Sequence, residues 1–217
     1  MANILVECPQ KIASVRVGVL MPLQPLAEAG LCCIHYKDTR DITTADIMWS
    51  DVLICVRGCE YPTLRVVQAA KDAGRFCIYF LDDDLLHIPD GIESTNYYRD
   101  HKIKVNLLKI LGLCDVLWAV NKKILEQYGE IVSRTVLSRV PASVLREPPK
   151  QDKVLHFLYA GSVDHSHLVQ ELLSDPIQNI LKDSKGRADF TFIGANPGAH
   201  LRKMEGVKYY PFFEDYN

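Results

Sequence analysis

The chain has 217 residues, 48% of them hydrophobic and 24% charged, with 12 Gly and 11 Pro, which excludes a collagenous, low-complexity or wholly disordered chain. Lys plus Arg number 25 and Asp plus Glu 27, for a formal net charge of -2; phosphate backbones call for a basic excess, so no nucleic-acid partner is expected. The length falls between one and two domains of roughly 100–150 residues, and a second unit has to be sought along the chain.

Met1–Glu7 has no basic stretch followed by a long apolar run, so it does not read as a signal peptide. No apolar run reaches the roughly 18 residues of a membrane span. The seven cysteines, Cys8, Cys32, Cys33, Cys55, Cys59, Cys77 and Cys114, lie mostly inside apolar runs. None has C-x-x-C spacing and no His cluster completes a zinc site, so they read as buried, reduced thiols. No Asn-x-Ser/Thr sequon occurs. A soluble cytoplasmic protein without a metal site is the expectation.

Candidate strands in chain order are 3–8, 31–36, 52–57, 76–81, 115–120 and 134–138. They are apolar nearly throughout, as strands buried on both faces of a parallel sheet are. Candidate helices lie near 62–73, 99–111 and 121–128, with Leu64, Val66, Val67 and Ala70 at helical spacing among charged residues. The segment Val15–Met21 has strand propensity. A crossover between strands 3–8 and 31–36 nevertheless requires a helix, with Ser14 as its N-cap, Gly30 as its stop, and Pro22 and Pro25 kinking or splitting it. The βαβα order predicts a doubly wound parallel α/β sheet.

The prolines at 141, 148 and 149 mark 141–153 as a linker between a first domain, 1–140, and a second, 154–217. In the second, Leu155–Gly161 reads as a strand, 167–183 as helical with an interruption at Asp175-Pro176, and Asp189–Gly194 and Val207–Pro211 as strands. Three strands in about 65 residues are thin for an independent doubly wound domain, which needs roughly 100 or more. The second domain therefore reads as incomplete.

Ligands of open parallel sheets bind at the carboxyl ends of the strands. Three carboxylates, Asp82, Asp83 and Asp84, follow strand 76–81. Their repulsion raises at least one pKa unless a cation or hydrogen-bond donors compensate. They read either as a polar cleft for hydroxyls, a base or a metal, or as acids capping a helix, for which Asp83 or Asp84 suits better than Asp82. Arg57 follows strand 52–57, Asn121 follows strand 115–120, and Arg16 opens the first helix on the same edge as Arg57. Two such arginines either hold an anion or pair with surface acids. Gly161-Ser162 after a strand and before a helix resembles a phosphate-facing turn, with His165 and His167 beside it, and Gly194 ends the next strand. No G-x-G-x-x-G or Walker pattern occurs, so no NAD or ATP cofactor is expected. The basic side of 99–111 reads as a solvated face, with a membrane surface as the alternative.

In Phe80-Leu81-Asp82-Asp83-Asp84-Leu85 with Ile88-Pro89, the chain resembles the D-D-D-L…P segment of bacterial group 1 (GT4-like) glycosyltransferases of GT-B type. The order of the other segments is similar to theirs: Ser14-Val15-Arg16 with Pro22, Leu26 and Gly30; Asp51–Arg57; Cys114–Asn121; Tyr159–Ser162 with His165; and Phe192–Gly194. The resemblance implies two Rossmann-like domains facing a cleft, of which this chain holds the N-terminal, acceptor-side one and the start of the C-terminal, nucleotide-sugar-side one. It implies transfer of a hexose from a nucleoside diphosphate sugar to a hydroxyl of a glycan, lipid-linked or protein acceptor, without a bound metal. Gly161, Ser162, His165 and Gly194 then face the donor diphosphate, while Arg16, Arg57, Asp82, Asp83, Asp84 and Asn121 line the acceptor side. No general base is identified. The family's later basic residue and E-x7-E-like segment have no counterpart, and Ser138-Arg139-Val140-Pro141 stands at the usual Asn-containing hinge, so truncation within the donor domain is expected. A non-catalytic binding or partner module with an acidic, Mg-binding pocket at Asp82–Asp84 is the rival reading. An oligomer or a chain completing the second sheet is expected among the partners.

Overall fold

The computed structural model describes residues 1–10, 12–88, 96–138 and 153–211. The chain divides into two units, residues 1–144 and 145–217. The linker expected at 141–153 lies, apart from Lys153, outside the described residues.

In the first unit the short apolar runs become β1 (Ala2–Cys8), β2 (Cys32–Asp38), β3 (Val52–Val56), β4 (Phe76–Leu81), β5 (Val116–Ala119) and β6 (Thr135–Leu137). All described pairings are parallel, in the order β2-β1-β3-β4-β5-β6. Strand alternation sends Leu5, Leu53, Cys55, Tyr79 and Leu117 to one face, and Ile4, Val6, Ile54, Val56 and Phe80 to the other. Both faces of the central strands β1, β3, β4 and β5 are largely buried, which is why these strands read as continuous apolar runs, while the edge strand β6 is exposed.

The first face packs on α3 (Tyr61–Asp72), α5 (His101–Leu113) and α6 (Lys122–Tyr128), through Val67, Ala70, Leu107, Ile110, Leu111, Ile124 and Tyr128. The other face packs on Val15 and Val19 of the helix that follows β1. That helix runs as a π-helical stretch, Ser14–Leu20, into α1 (Met21–Glu28). Proline lacks an N–H and its ring crowds the carbonyl four residues back. The wider π turn carries the backbone past this point, with the Met21 N–H donating to Arg16 O, five residues back. The prolines therefore do not split the helix. The cap position is Ala13, without a side-chain cap, so the role expected of Ser14 as N-cap is not the one it plays.

Two short elements went unread in the sequence: a 3-10 turn at Thr39–Asp41 and α2 (Thr44–Trp49). The latter begins in a capping box in which the Thr43 hydroxyl accepts from the Asp46 N–H (3.4 Å) and the Asp46 carboxylate accepts from the Thr43 N–H (2.8 Å). The helix expected at 99–111 is two helices, α4 (Asn96–Arg99) and α5. Asp100, in extended backbone with ψ 128, separates them and caps α5 through the Lys102 N–H (2.7 Å).

The second unit has a three-stranded parallel sheet, β7 (Leu155–Gly161), β8 (Ala188–Gly194) and β9 (Val207–Tyr210), in that order. Phe190 and Phe192 of β8 pack on Val169, Ile177 and Leu201. Helix α7 (Ser166–Leu168) continues through a π stretch, Val169–Leu173, into α8 (Ser174–Ser184). The interruption expected at Asp175-Pro176 is absent, because Pro176 falls in the first turn of α8, where a missing N–H costs little. The chain leaves α8 through Lys185 and Gly186 in left-handed backbone (φ 50 and 83).

Gly18 lets the first helix sit directly on the sheet, since a Cβ there would overlap the Phe80 ring. Gly18→Val should lower stability by about 1–3 kcal/mol, as overpacking does, read as a fall in the urea midpoint at unchanged m-value. A midpoint equal to wild type would show that this contact is not tight.

Candidate functional site

The sheet order reverses between β1 and β3: the chain leaves β1 toward β2 and leaves β3 toward β4. The carboxyl ends of β1 and β3 therefore flank the crevice where open α/β sheets hold ligands. Arg57 follows β3 there in left-handed backbone, φ 55. A non-glycine residue in that region costs on the order of 1 kcal/mol. Its N–H donates to Phe80 O at 3.2 Å, and a Cβ on the next residue, Gly58, would stand 2.5 Å from Thr63 Cγ2. The turn is fixed from both sides.

The Arg57 guanidinium gathers the polar side chains of this edge. Its Nη1 donates to Asp82 Oδ1 (3.1 Å) and Ser14 Oγ (3.3 Å) and forms an ion pair with Asp83 Oδ2 at 2.7 Å. The Tyr98 hydroxyl is a further partner, while Nε is buried with no hydrogen-bond partner among the described residues. Burial opposes the arginine's charge, but the facing carboxylates of Asp82 and Asp83 outweigh it and raise its pKa above the ordinary value.

Asp84 takes no part in this group. Its Oδ1 accepts from the Tyr128 hydroxyl (2.7 Å) and from the N–H groups of Leu86 and His87 (3.3 and 3.2 Å), and its carboxylate faces His87 Nδ1 at 3.0 Å. Burial alone would raise its pKa; the hydrogen bonds from Tyr128 and His87 override that and lower it. The triplet thus divides. Asp82 and Asp83 serve Arg57, whereas Asp84 shapes the turn after β4, whose described residues 82–88 form no helix for it to cap. Pro89, which closes the acidic segment in sequence, lies outside the described residues.

Arg16 is exposed and makes no hydrogen bond or ion pair among the described residues, and Ser14 occupies the place beside Arg57 that Arg16 was expected to take. Asn121 is the N-cap of α6, its Oδ1 accepting from the Lys123 N–H at 2.8 Å. Among the described residues no three metal-ligating side chains converge. The guanidinium stands where a cation between Asp82 and Asp83 would have to be.

Glu7, near the carboxyl end of β1, was not singled out in the sequence. It is fully buried, and its Oε1 accepts from the hydroxyls of Thr39 and Thr63 while Oε2 has no partner. Burial pushes its carboxyl up, only partly offset by hydrogen bonds from Thr39, Cys55 and Thr63. Its one sequence signal is a lone charge inside an apolar strand.

In the second unit, Gly161 and Gly194 are register partners at the carboxyl ends of β7 and β8. Gly194 has φ 81. A Cβ on Gly161 would stand 2.9 Å from Tyr159 Cε1 and 3.1 Å from His165 Nδ1. Tyr159 Oη and His165 Nδ1 are 3.2 Å apart. Ser162 caps the 3-10 turn Val163–His165, its Oγ accepting from the Asp164 N–H (3.3 Å) and donating to Asp164 Oδ2 (3.0 Å). His167 Nδ1 lies 2.8 Å from Asp164 O. The structure therefore brings Gly161, Ser162, His165 and Gly194 to one end of this sheet, with Tyr159 as a member not named from sequence.

No protein-family model and no curated protein matches the chain. Solved structures do match. The Anabaena protein HepE (Alr3699), solved in complex with UDP-glucose, aligns over 98% of this chain and 70% of its own, with TM-score 0.60 and 10% identity. UDP-GlcNAc 2-epimerase from Methanocaldococcus jannaschii aligns over 98% and 73%, with TM-score 0.55 and 10% identity. A UDP-forming trehalose-phosphate synthase from Burkholderia xenovorans aligns over 99% and 74%, with TM-score 0.55 and 9% identity. At these identities the likeness is one of fold, and the fold is the Rossmann-like α/β fold that the sequence led us to expect.

The buried carboxyl of Glu7 makes stability depend on pH in a defined direction. Its folded pKa is raised, so its contribution is complete below the ordinary carboxyl pKa and is lost as pH rises through the raised value. Glu7→Gln keeps an oxygen acceptor for the two threonines and cannot ionise. Between those pKa values, wild type should lose on the order of 1 kcal/mol per pH unit relative to Glu7→Gln, measured by urea unfolding across pH 4–9. Parallel curves for the two proteins would mean that Glu7 folds as a carboxylate.

Proposed function

We propose that the chain supplies the acceptor-side domain and the opening of the donor-side domain of a GT-B-type glycosyltransferase, which moves a hexose from a nucleoside diphosphate sugar to an acceptor hydroxyl. The observation that carries this reading is the Arg57–Asp82–Asp83–Ser14 group at the sheet's switch point, where ligands of this architecture bind. The fold likeness to a protein solved with UDP-glucose supports it.

On this reading Asp83, whose side chain is 63% exposed, accepts hydrogen bonds from acceptor hydroxyls, and Arg57 sets its position. At the Gly161–Gly194 end of the second sheet, Ser162, His165 and the Tyr159 hydroxyl are the polar groups beside the diphosphate. The anomeric carbon–phosphate oxygen bond breaks, the acceptor oxygen bonds to that carbon and gives up its proton, and the nucleoside diphosphate leaves. The reaction requires no resident cofactor or metal. The epimerase among the neighbours shares the fold with different chemistry, so the transfer itself has to be tested.

UDP-, GDP- and ADP-sugars should be screened by thermal melting. A donor at a hundred times its Kd stabilises the native state by about 2.7 kcal/mol, roughly 5–10 °C for a domain of this size. Gly161→Val should abolish the shift. Asp83→Asn should keep it but reduce acceptor-dependent release of nucleoside diphosphate at least tenfold. A complete panel without any shift would end the transferase reading for this chain, and a shift without transfer to any acceptor would leave a nucleotide-sugar binding module.

A further inference from the structure

On the helical side of the first unit, α3 and α5 leave a groove of about 360 Å³ between them. It is lined by Tyr61, Leu64, Arg65 and Gln68 of α3 and by Lys109, Gly112 and Leu113 of α5. The groove opens where α5 carries Gly112, since no heavy atom lies within 4 Å of the place its Cβ would occupy. Arg65 and Lys109 are exposed, and neither makes a hydrogen bond or ion pair among the described residues. The neighbouring charges are already engaged: Lys71 is paired with Asp115 at 2.7 Å, and Asp72 accepts from Gln68 at 2.8 Å. Two cations without an ion partner among the described residues therefore line the same groove as Leu64, Leu113 and the Tyr61 ring.

We propose that this groove binds a small anionic amphiphile, its carboxylate or phosphate head shared by Arg65 and Lys109 and its apolar body laid on Leu64, Leu113 and the Tyr61 ring. The charge complementarity follows from the two rim cations, of which the arginine offers the planar fork that carboxylates and phosphates accept. The volume falls at the lower end of small-molecule sites, roughly 300–1000 Å³, so a single small ligand suits it rather than a membrane surface or a peptide helix. Nothing in this site depends on Arg57, on the second unit or on glycosyl transfer.

The probe is decyl phosphate below its micellar concentration, titrated into the 217-residue chain and followed by amide NMR. The Gly112 amide should shift saturably. Neutral decyl glucoside and inorganic phosphate, which each match one half of the site, should bind at least tenfold more weakly. The double variant Arg65→Ala, Lys109→Ala should weaken decyl phosphate at least tenfold. Gly112→Leu, a change toward a better helix former, should block the groove with the fold retained. The proposal fails if Gly112 does not shift, if decyl glucoside binds as well, or if the double variant binds unchanged. It fails equally if only phosphatidylglycerol vesicles or only an acidic peptide engage this face.

Discussion

A parallel sheet has to be covered on both faces, and every strand has to be re-entered from the same end, so each crossover returns the chain through a helix. That constraint organises the first unit. It forces Val15–Leu20 into a helix against its β-branched composition, and it sends every strand's outgoing turn to one edge. Ser14, Arg57, Asp82 and Tyr98 are far apart in sequence and meet only because each follows or borders a carboxyl end. The left-handed turn at Arg57 is the local cost of aiming its guanidinium along that edge. The two carboxylates offset it, since a largely buried cation without partners would be far more expensive.

Much of this fold could be read in the sequence because burial on both faces writes itself as unbroken apolar runs. The six strands of the first unit fall within a residue or two of the runs that announce them, the end of β2 at Asp38 differing most. What escaped reading was governed by shorter-range detail. Helix α2 has only six residues, too few for a periodic signal, though Thr43 and Asp46 stand at capping-box spacing. Pro176 suggested a break because its place in a helical turn depends on where that helix starts. The π stretches that absorb Pro22 and precede Pro176 have no sequence signature separate from an ordinary helix.

The candidate site was legible by position and illegible by partnership. Acids after β4 and an arginine after β3 follow from strand ends alone. Which acid meets the arginine depends on the turn beyond β4, where the Tyr128 hydroxyl from α6 draws Asp84 away. The exchange of Arg16 for Ser14 is a matter of helical phase, since a displacement of two residues turns a side chain about half-way round the axis. Glu7 was hidden differently. Its partners Thr39 and Thr63 lie 32 and 56 residues away, and nothing local to β1 marks a buried acid as held rather than misplaced.

The two sheets end in chemically different edges, and that difference bears on the proposed reaction more than the shared fold does, because one fold hosts many chemistries. At the first edge one guanidinium faces two carboxylates, leaving a local charge of about -1 in a partly dehydrated crevice. Such a place repels phosphate and suits hydroxyls, which donate to carboxylates without bringing charge. At the second edge Gly161 and Gly194 are register partners, and Asp164 is engaged by the Ser162 hydroxyl and backbone turn. An anion meets less repulsion there than beside Asp82 and Asp83. A transferase needs both environments, one for the neutral nucleophile and one for the charged leaving group.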